Sequence, residues 1–129
     1  GVIGRIPTTK PGDVVGHFVA INPLTGDKKW EVHLTDMPSS AGMLVTDGGL
    51  AFSGKLTGEF VALDEATGQT LWQFKTSSAV NSTPITYTHN GRQYVTVVSG
   101  LGGGLASRFA ASSVPAGGSV WTFALMPEQ

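Results

Sequence analysis

The sequence predicts an all-β fold assembled from repeated units of short strands, and three observations carry that prediction. First, residues 16–30 (GHFVAINPLTGDKKW) and 58–72 (GEFVALDEATGQTLW) are near copies, with Ala20 and Ala62, Thr25 and Thr67, Gly26 and Gly68, and Trp30 and Trp72 each 42 positions apart. Second, short runs in which apolar and polar residues alternate are bounded by Gly, Pro, Asn and Asp, as half-buried strands require. Third, no long stretch places apolar residues at helical spacing. A period of roughly 40–45 residues holding four short strands is that of a propeller blade.

Phe18-Val19-Ala20-Ile21 and Phe60-Val61-Ala62-Leu63 open each copy as β-rich strands. The turns at residues 22–26 and 64–68 follow, where Asn22 or Asp64 caps backbone amides and the closing glycine supplies a positive φ. The return strands carry the tryptophans in Lys29-Trp30-Glu31-Val32 and Leu71-Trp72-Gln73-Phe74, completing hairpins. A large ring at a fixed place in each unit is most simply a wedge packed between neighbouring units, the other reading being a direct ligand role for Trp30 or Trp72. After Trp30 come strands at residues 43–46 and 50–54 about the turn Asp47-Gly48-Gly49. After Trp72 come strands at residues 84–88 and 93–100 about the turn His89-Asn90-Gly91-Arg92.

These elements divide the chain into one blade unit at about 16–57, a second at 58–104, and residues 118–125 as a ring-closing strand that begins a third copy. Four-stranded antiparallel blades number four to eight in a typical propeller, so 129 residues are expected to be part of a longer chain or assembly, not a complete domain. The remaining blades are then the first partner implied.

Eight basic and nine acidic residues give a net charge of −1, which supplies no basic field for nucleic acid or an acidic membrane. A charged fraction of 13% is low for a freely exposed surface and points to covered faces. No run reaches the ~18 apolar residues of a spanning helix, and the absence of cysteine excludes thiolate metal sites and thiol nucleophiles in this chain. His17, His33 and His89 lack metal-ligand spacing and read as surface residues. Ser39-Ser40, Ser77-Ser78 and Ser112-Ser113 lack a nucleophile elbow and a base. Residues 99–107 (SGLGGGLAS) stand apart from the repeat. Their glycines permit either a flexible connection or a wall of bare backbone against a flat ligand.

The pattern Ala-x-Asp-x-x-Thr-Gly-x-x-x-Trp, met by Ala62, Asp64, Thr67, Gly68 and Trp72 and, with Asn22 for the acid, by Ala20, Thr25, Gly26 and Trp30, resembles the tryptophan docking motif of the quinoprotein dehydrogenases. Pro84-Ile85-Thr86-Tyr87, Gly91-Arg92-Gln93-Tyr94-Val95 and Ser99-Gly100-Leu101-Gly102-Gly103 are similar to the closing section of their methanol and ethanol dehydrogenases. The resemblance implies the last blades of an eight-bladed quinoprotein β-propeller that uses pyrroloquinoline quinone (PQQ) and a Ca²⁺ or lanthanide ion to oxidise a primary alcohol or sugar alcohol. It further implies a periplasmic location and cytochrome c or a quinone as electron acceptor.

Carried onto this chain, the family's cofactor chamber is lined by Gly103 and Gly104 and by Ser40, Ala41 and Gly42. Methanol dehydrogenases usually have Trp where Gly104 stands and Trp-Gly-Gly where Ser40-Ala41-Gly42 stand, so the resemblance implies a roomier chamber here. The catalytic base and metal ligands of the family map to no position of this sequence, so the segment by itself is expected to be inactive. Two other readings stay open. One is a non-catalytic propeller with the same repeats, a protein-binding module or outer-membrane-assembly scaffold. The other is a small repeat protein that closes a ring by oligomerising.

Overall fold

The computed structural model describes residues 10–36, 41–102, 107 and 114–126. Among the described residues nine strands form: β1 (Gly16–Ile21), β2 (Lys28–Leu34), β3 (Leu44–Val45), β4 (Leu50–Gly54), β5 (Glu59–Asp64), β6 (Thr70–Lys75), β7 (Ile85–His89), β8 (Arg92–Gly100) and β9 (Gly118–Ala124). They form three antiparallel sheets in the orders β1-β2, β3-β4-β5-β6 and β7-β8-β9.

The hairpin turns form as their residues dictate. Asn22 Oδ1 accepts the amide of Leu24 at 2.9 Å, and Asp64 Oδ1 accepts those of Ala66 and Thr67 at 2.8 and 3.0 Å. The amides of Gly26 and Gly68 close each turn on the carbonyls of Asn22 and Asp64. Both glycines have positive φ, +79° and +77°, which L side chains rarely adopt. Asn22 and Asp64 are thus turn caps. Between β7 and β8, Asn90 (φ +50°) and Gly91 (φ +75°) make the two-residue turn that suits the twist of a tight hairpin.

Packing then follows from the two-residue period of a strand. On one face of the four-stranded sheet, Ala51, Val61 and Leu63 meet Phe18, Leu34, Trp30 and Val32 of the β1-β2 pair. On its other face, Phe52, Phe60 and Ala62 meet Val95, Val97, Trp121 and Phe123 of the β7-β8-β9 sheet. Because both faces of the central sheet are covered, β5 reads as a nearly unbroken apolar run, with Phe60, Val61, Ala62 and Leu63 all buried. The aromatic part of this core is continuous: Phe60 contacts Phe52, Trp72 and Phe123, with centroids 5.6–6.1 Å apart.

Repeat and sheet are out of phase. The sequence unit 16–57 contributes β1 and β2 to one sheet and β3 and β4 to the next, where they are joined by β5 and β6 of the following unit. Residues 118–124 do not stand alone but pair with β8 along their whole length, from Gly118 opposite Gly100 to Ala124 opposite Tyr94.

The two tryptophans differ. Trp30 reaches across to the next sheet, its Nε1 donating to the carbonyl of Glu65 at 2.7 Å while its ring covers Gly68 so closely that a Cβ there would stand 2.6 Å from Cε3. Trp72 remains 40% exposed and rests edge-on against Phe60 and Phe123.

Candidate functional site

Because every sheet is antiparallel, the connections β2–β3, β4–β5, β6–β7 and β8–β9 emerge at one end of the stack and the short hairpin turns at the other. Of the positions that the sequence singled out, Ala41 and Gly42 lie at the connection end. They lead into β3 and are half-buried. The Gly42 carbonyl accepts the Ser53 hydroxyl at 3.3 Å, and a Cβ on Gly42 would stand 2.4 Å from Thr83 Oγ1. Gly42 is therefore required where the β2–β3 connection presses on the β6–β7 connection. Ser40, Gly103 and Gly104 lie outside the described residues.

A second close approach begins where β8 ends. Leu101 is half-buried, packed beside Leu56, Ala79 and Val114. Gly102 follows with φ +56°, and a Cβ there would lie 3.3 Å from Asn81 Nδ2. Residues 81–83 thus touch both connections, Thr83 against Gly42 and Asn81 against Gly102.

Beneath them is a buried hydroxyl network that sequence reasoning missed. The Thr76 hydroxyl lies 2.8 Å from the carbonyls of Gly58 and Ser78 and from the hydroxyl of Ser99. Ser99 Oγ in turn accepts the amide of Ser78 at 3.1 Å. Backbone bonds from Val80 to Lys55 and from Gly100 to Ala79 complete the tie between connections. The available signal was the Ser-Gly pair that ends both β4 and β8, Ser53-Gly54 and Ser99-Gly100, both serines being wholly buried. Ser77 and Ser78, set aside as nucleophiles, bond Ser119 Oγ and the Pro115 carbonyl, which are structural contacts.

Charge at this end is modest. Burial raises the cost of ionising Glu59, but hydrogen bonds from Thr57 and its own backbone amide, together with Lys75, outweigh that cost and lower its pKa. At the edge of the β1-β2 pair, Lys28 lowers that of Glu31 chiefly through its hydrogen bond, helped by His33 and His17. The two histidines are more than half exposed. Among the described residues no group of three or more His, Cys, Asp or Glu could hold a metal ion. Clefts lie at the turn end, about 750 Å³ beside Asn90, Arg92 and Met126, about 390 Å³ beside Trp30 and Glu65 and about 360 Å³ beside Trp72 and Phe123.

Ala41, Gly42 and Gly102 bring backbone close without bulky side chains, and Asn81 adds one amide. Residues 28–95 match the family model described as the glucose/ethanol/alcohol dehydrogenase β-propeller domain, a PQQ family. The chain belongs to this family. It is 38% identical to the quinoprotein alcohol dehydrogenase PedH of Pseudomonas putida over 95% of its own length and 21% of that protein. It is 40% identical to the lanthanide-dependent methanol dehydrogenase of Methylacidiphilum fumariolicum over 70% of its length and 15% of that protein. Among solved structures it is similar to a europium-containing methanol dehydrogenase, with TM-score 0.74 and 34% identity over 84% of this chain and 23% of that one. The chain thus spans about a fifth of the first of these relatives. The all-β propeller architecture read from the repeat agrees with these relatives.

Proposed function

We propose that this segment supplies part of the cofactor chamber of an eight-bladed PQQ-dependent dehydrogenase that oxidises a primary alcohol or sugar alcohol to the aldehyde. The observation that carries the reading is the meeting of two bare-backbone walls, at Gly42 and Gly102, on residues 81–83 of the connection end in a chain of this family. Ser40, Ala41, Gly42, Gly103 and Gly104 would hold the quinone by backbone contact. Bound there, PQQ supplies the two-electron acceptor for alcohol oxidation. The short side chains at Ala41 and Gly42 set the space left to substrate, and without tryptophan at 40–42 or at 104 that space admits alcohols bulkier than methanol.

The Ca²⁺ or lanthanide ion would take its ligands from outside this segment. The parent protein acts in the periplasm and passes electrons to cytochrome c or a quinone; one relative bears the name methanol dehydrogenase [cytochrome c] subunit 1. The non-catalytic propeller is not favoured, since the relatives are named as dehydrogenases. The test is a PQQ titration of the full-length apoprotein that carries this segment, followed by alcohol addition. Stoichiometric uptake with alcohol-dependent reduction is expected, at higher kcat/KM for ethanol or a longer alcohol than for methanol. A correctly folded full-length protein that takes up no quinone overturns the reading.

A further inference from the structure

Glycine-rich backbone has more conformations to lose than any other, so a wall built from it presents a fixed surface only if neighbouring groups hold it. One short segment, the β6–β7 connection, does this here. Asn81 Nδ2 donates to the Leu101 carbonyl at 3.4 Å, just as the backbone leaves β8 for Gly102. The Gly100 amide donates to the Ala79 carbonyl at 2.8 Å. Further on, the Ser78 hydroxyl donates to the Pro115 carbonyl at 2.6 Å, ahead of β9. Ser78 is itself anchored, 2% exposed and bonded through its amide to Ser99 Oγ. The connection from β8 to β9 is therefore gripped where it starts and where it ends.

We propose that Asn81 and Ser78 are positioning residues for the ligand wall: Asn81 sets the height of Leu101 and Gly102, and Ser78 sets the return at Pro115. The proposal rests on the cofactor-chamber reading above and adds two residues to it. Neither touches the reacting atoms. Their effect is on how ready the wall is before the cofactor arrives, so it should appear in quinone affinity more than in global stability.

The test uses the full-length apoprotein with Asn81→Ala, Asn81→Asp, Ser78→Ala and, as a control, Thr96→Val, which removes the hydrogen bond to Thr122 on the opposite face of the β7-β8-β9 sheet. PQQ is titrated by absorbance, and the Tm of each apoprotein is measured alongside. Loss of one positioning hydrogen bond is expected to weaken PQQ about five- to tenfold in each Asn81 variant and in Ser78→Ala, with Tm within about 2 °C of wild type. The control is expected to bind as wild type does. Asn81→Asp keeps the shape but cannot donate to the Leu101 carbonyl, and it decides the matter if Asn81→Ala does not fold. Unchanged affinity in the Asn81 variants, or a fall in Tm with affinity unchanged, overturns the proposal. If wild-type apoprotein takes up no PQQ, the functional reading beneath it falls first and this one with it.

Discussion

Gly26 and Gly68 offer an internal experiment on what the repeated tryptophan does. Both close the same turn at nearly the same φ, +79° and +77°, so alanine at either meets the same backbone strain, about 1–2 kcal/mol. Around Gly26 a new Cβ would find nothing within 4 Å, whereas at Gly68 it would stand 2.6 Å from Trp30 Cε3 and 2.7 Å from Cδ2. The indole must move, adding an overpacking cost of about 1–3 kcal/mol and straining the Nε1 hydrogen bond to Glu65, itself worth about 1 kcal/mol. Gly68→Ala should therefore cost about 3–5 kcal/mol and Gly26→Ala about 1–2 kcal/mol. The assay is urea unfolding of the full-length protein, with Trp30→Ala as the second arm of a double-mutant cycle. In the Trp30→Ala background Gly68→Ala should fall to the cost of Gly26→Ala, a coupling of about 2 kcal/mol. Equal costs at the two glycines, or no coupling to Trp30, would refute the idea that the ring is wedged against that turn.

Two further outcomes follow from the connection end. Ser99→Ala takes away the acceptor of the buried Ser78 amide and should cost about 2 kcal/mol in the same unfolding assay. The equivalent Ser53→Ala loses only a 3.3 Å contact to Gly42 and should cost less than about 1 kcal/mol; comparable losses would count against the hydroxyl network. For Glu59, whose carboxyl is held below its usual range by Thr57, its own amide and Lys75 against the cost of burial, the sign is that of a depressed acid. Its stabilising contribution is complete above the ordinary carboxylate pKa of about 4.3 and disappears as pH falls through the lower folded value. The stability difference between wild type and Glu59→Gln should thus be flat from about pH 6 to 5 and shrink below about pH 4, and a constant difference down to pH 3 would remove Glu59 from the acid response.

What the sequence marked at the proposed site was its glycine. Gly42 was marked by its place after the first tryptophan, and the structure adds the reason it must be glycine, the Thr83 side chain 2.4 Å from its Cβ position. Asn81 and Ser78 were not legible as site residues. Serine and asparagine in a polar connection are ordinary turn residues, and what distinguishes them here is where Leu101 and Pro115 come to rest, 20 and 37 positions further along the chain.

The amino-acid sequence by itself determined the hairpins, their Asx-capped turns and the alternation of each strand, because those features are settled by hydrogen bonds between residues two to four apart and by which faces are apolar. Only the tertiary structure decided how hairpins are shared among sheets. The 42-residue period groups β3 with the strands before it, yet backbone pairing groups it with those after it. A repeat records what recurs and is silent about which edge pairs with which. The same holds for the tryptophans: nearly identical sequence surrounds Trp30 and Trp72, but one lies over the glycine turn of the next sheet and the other is left 40% exposed, since a ring's surroundings come from the neighbouring unit and not from its own.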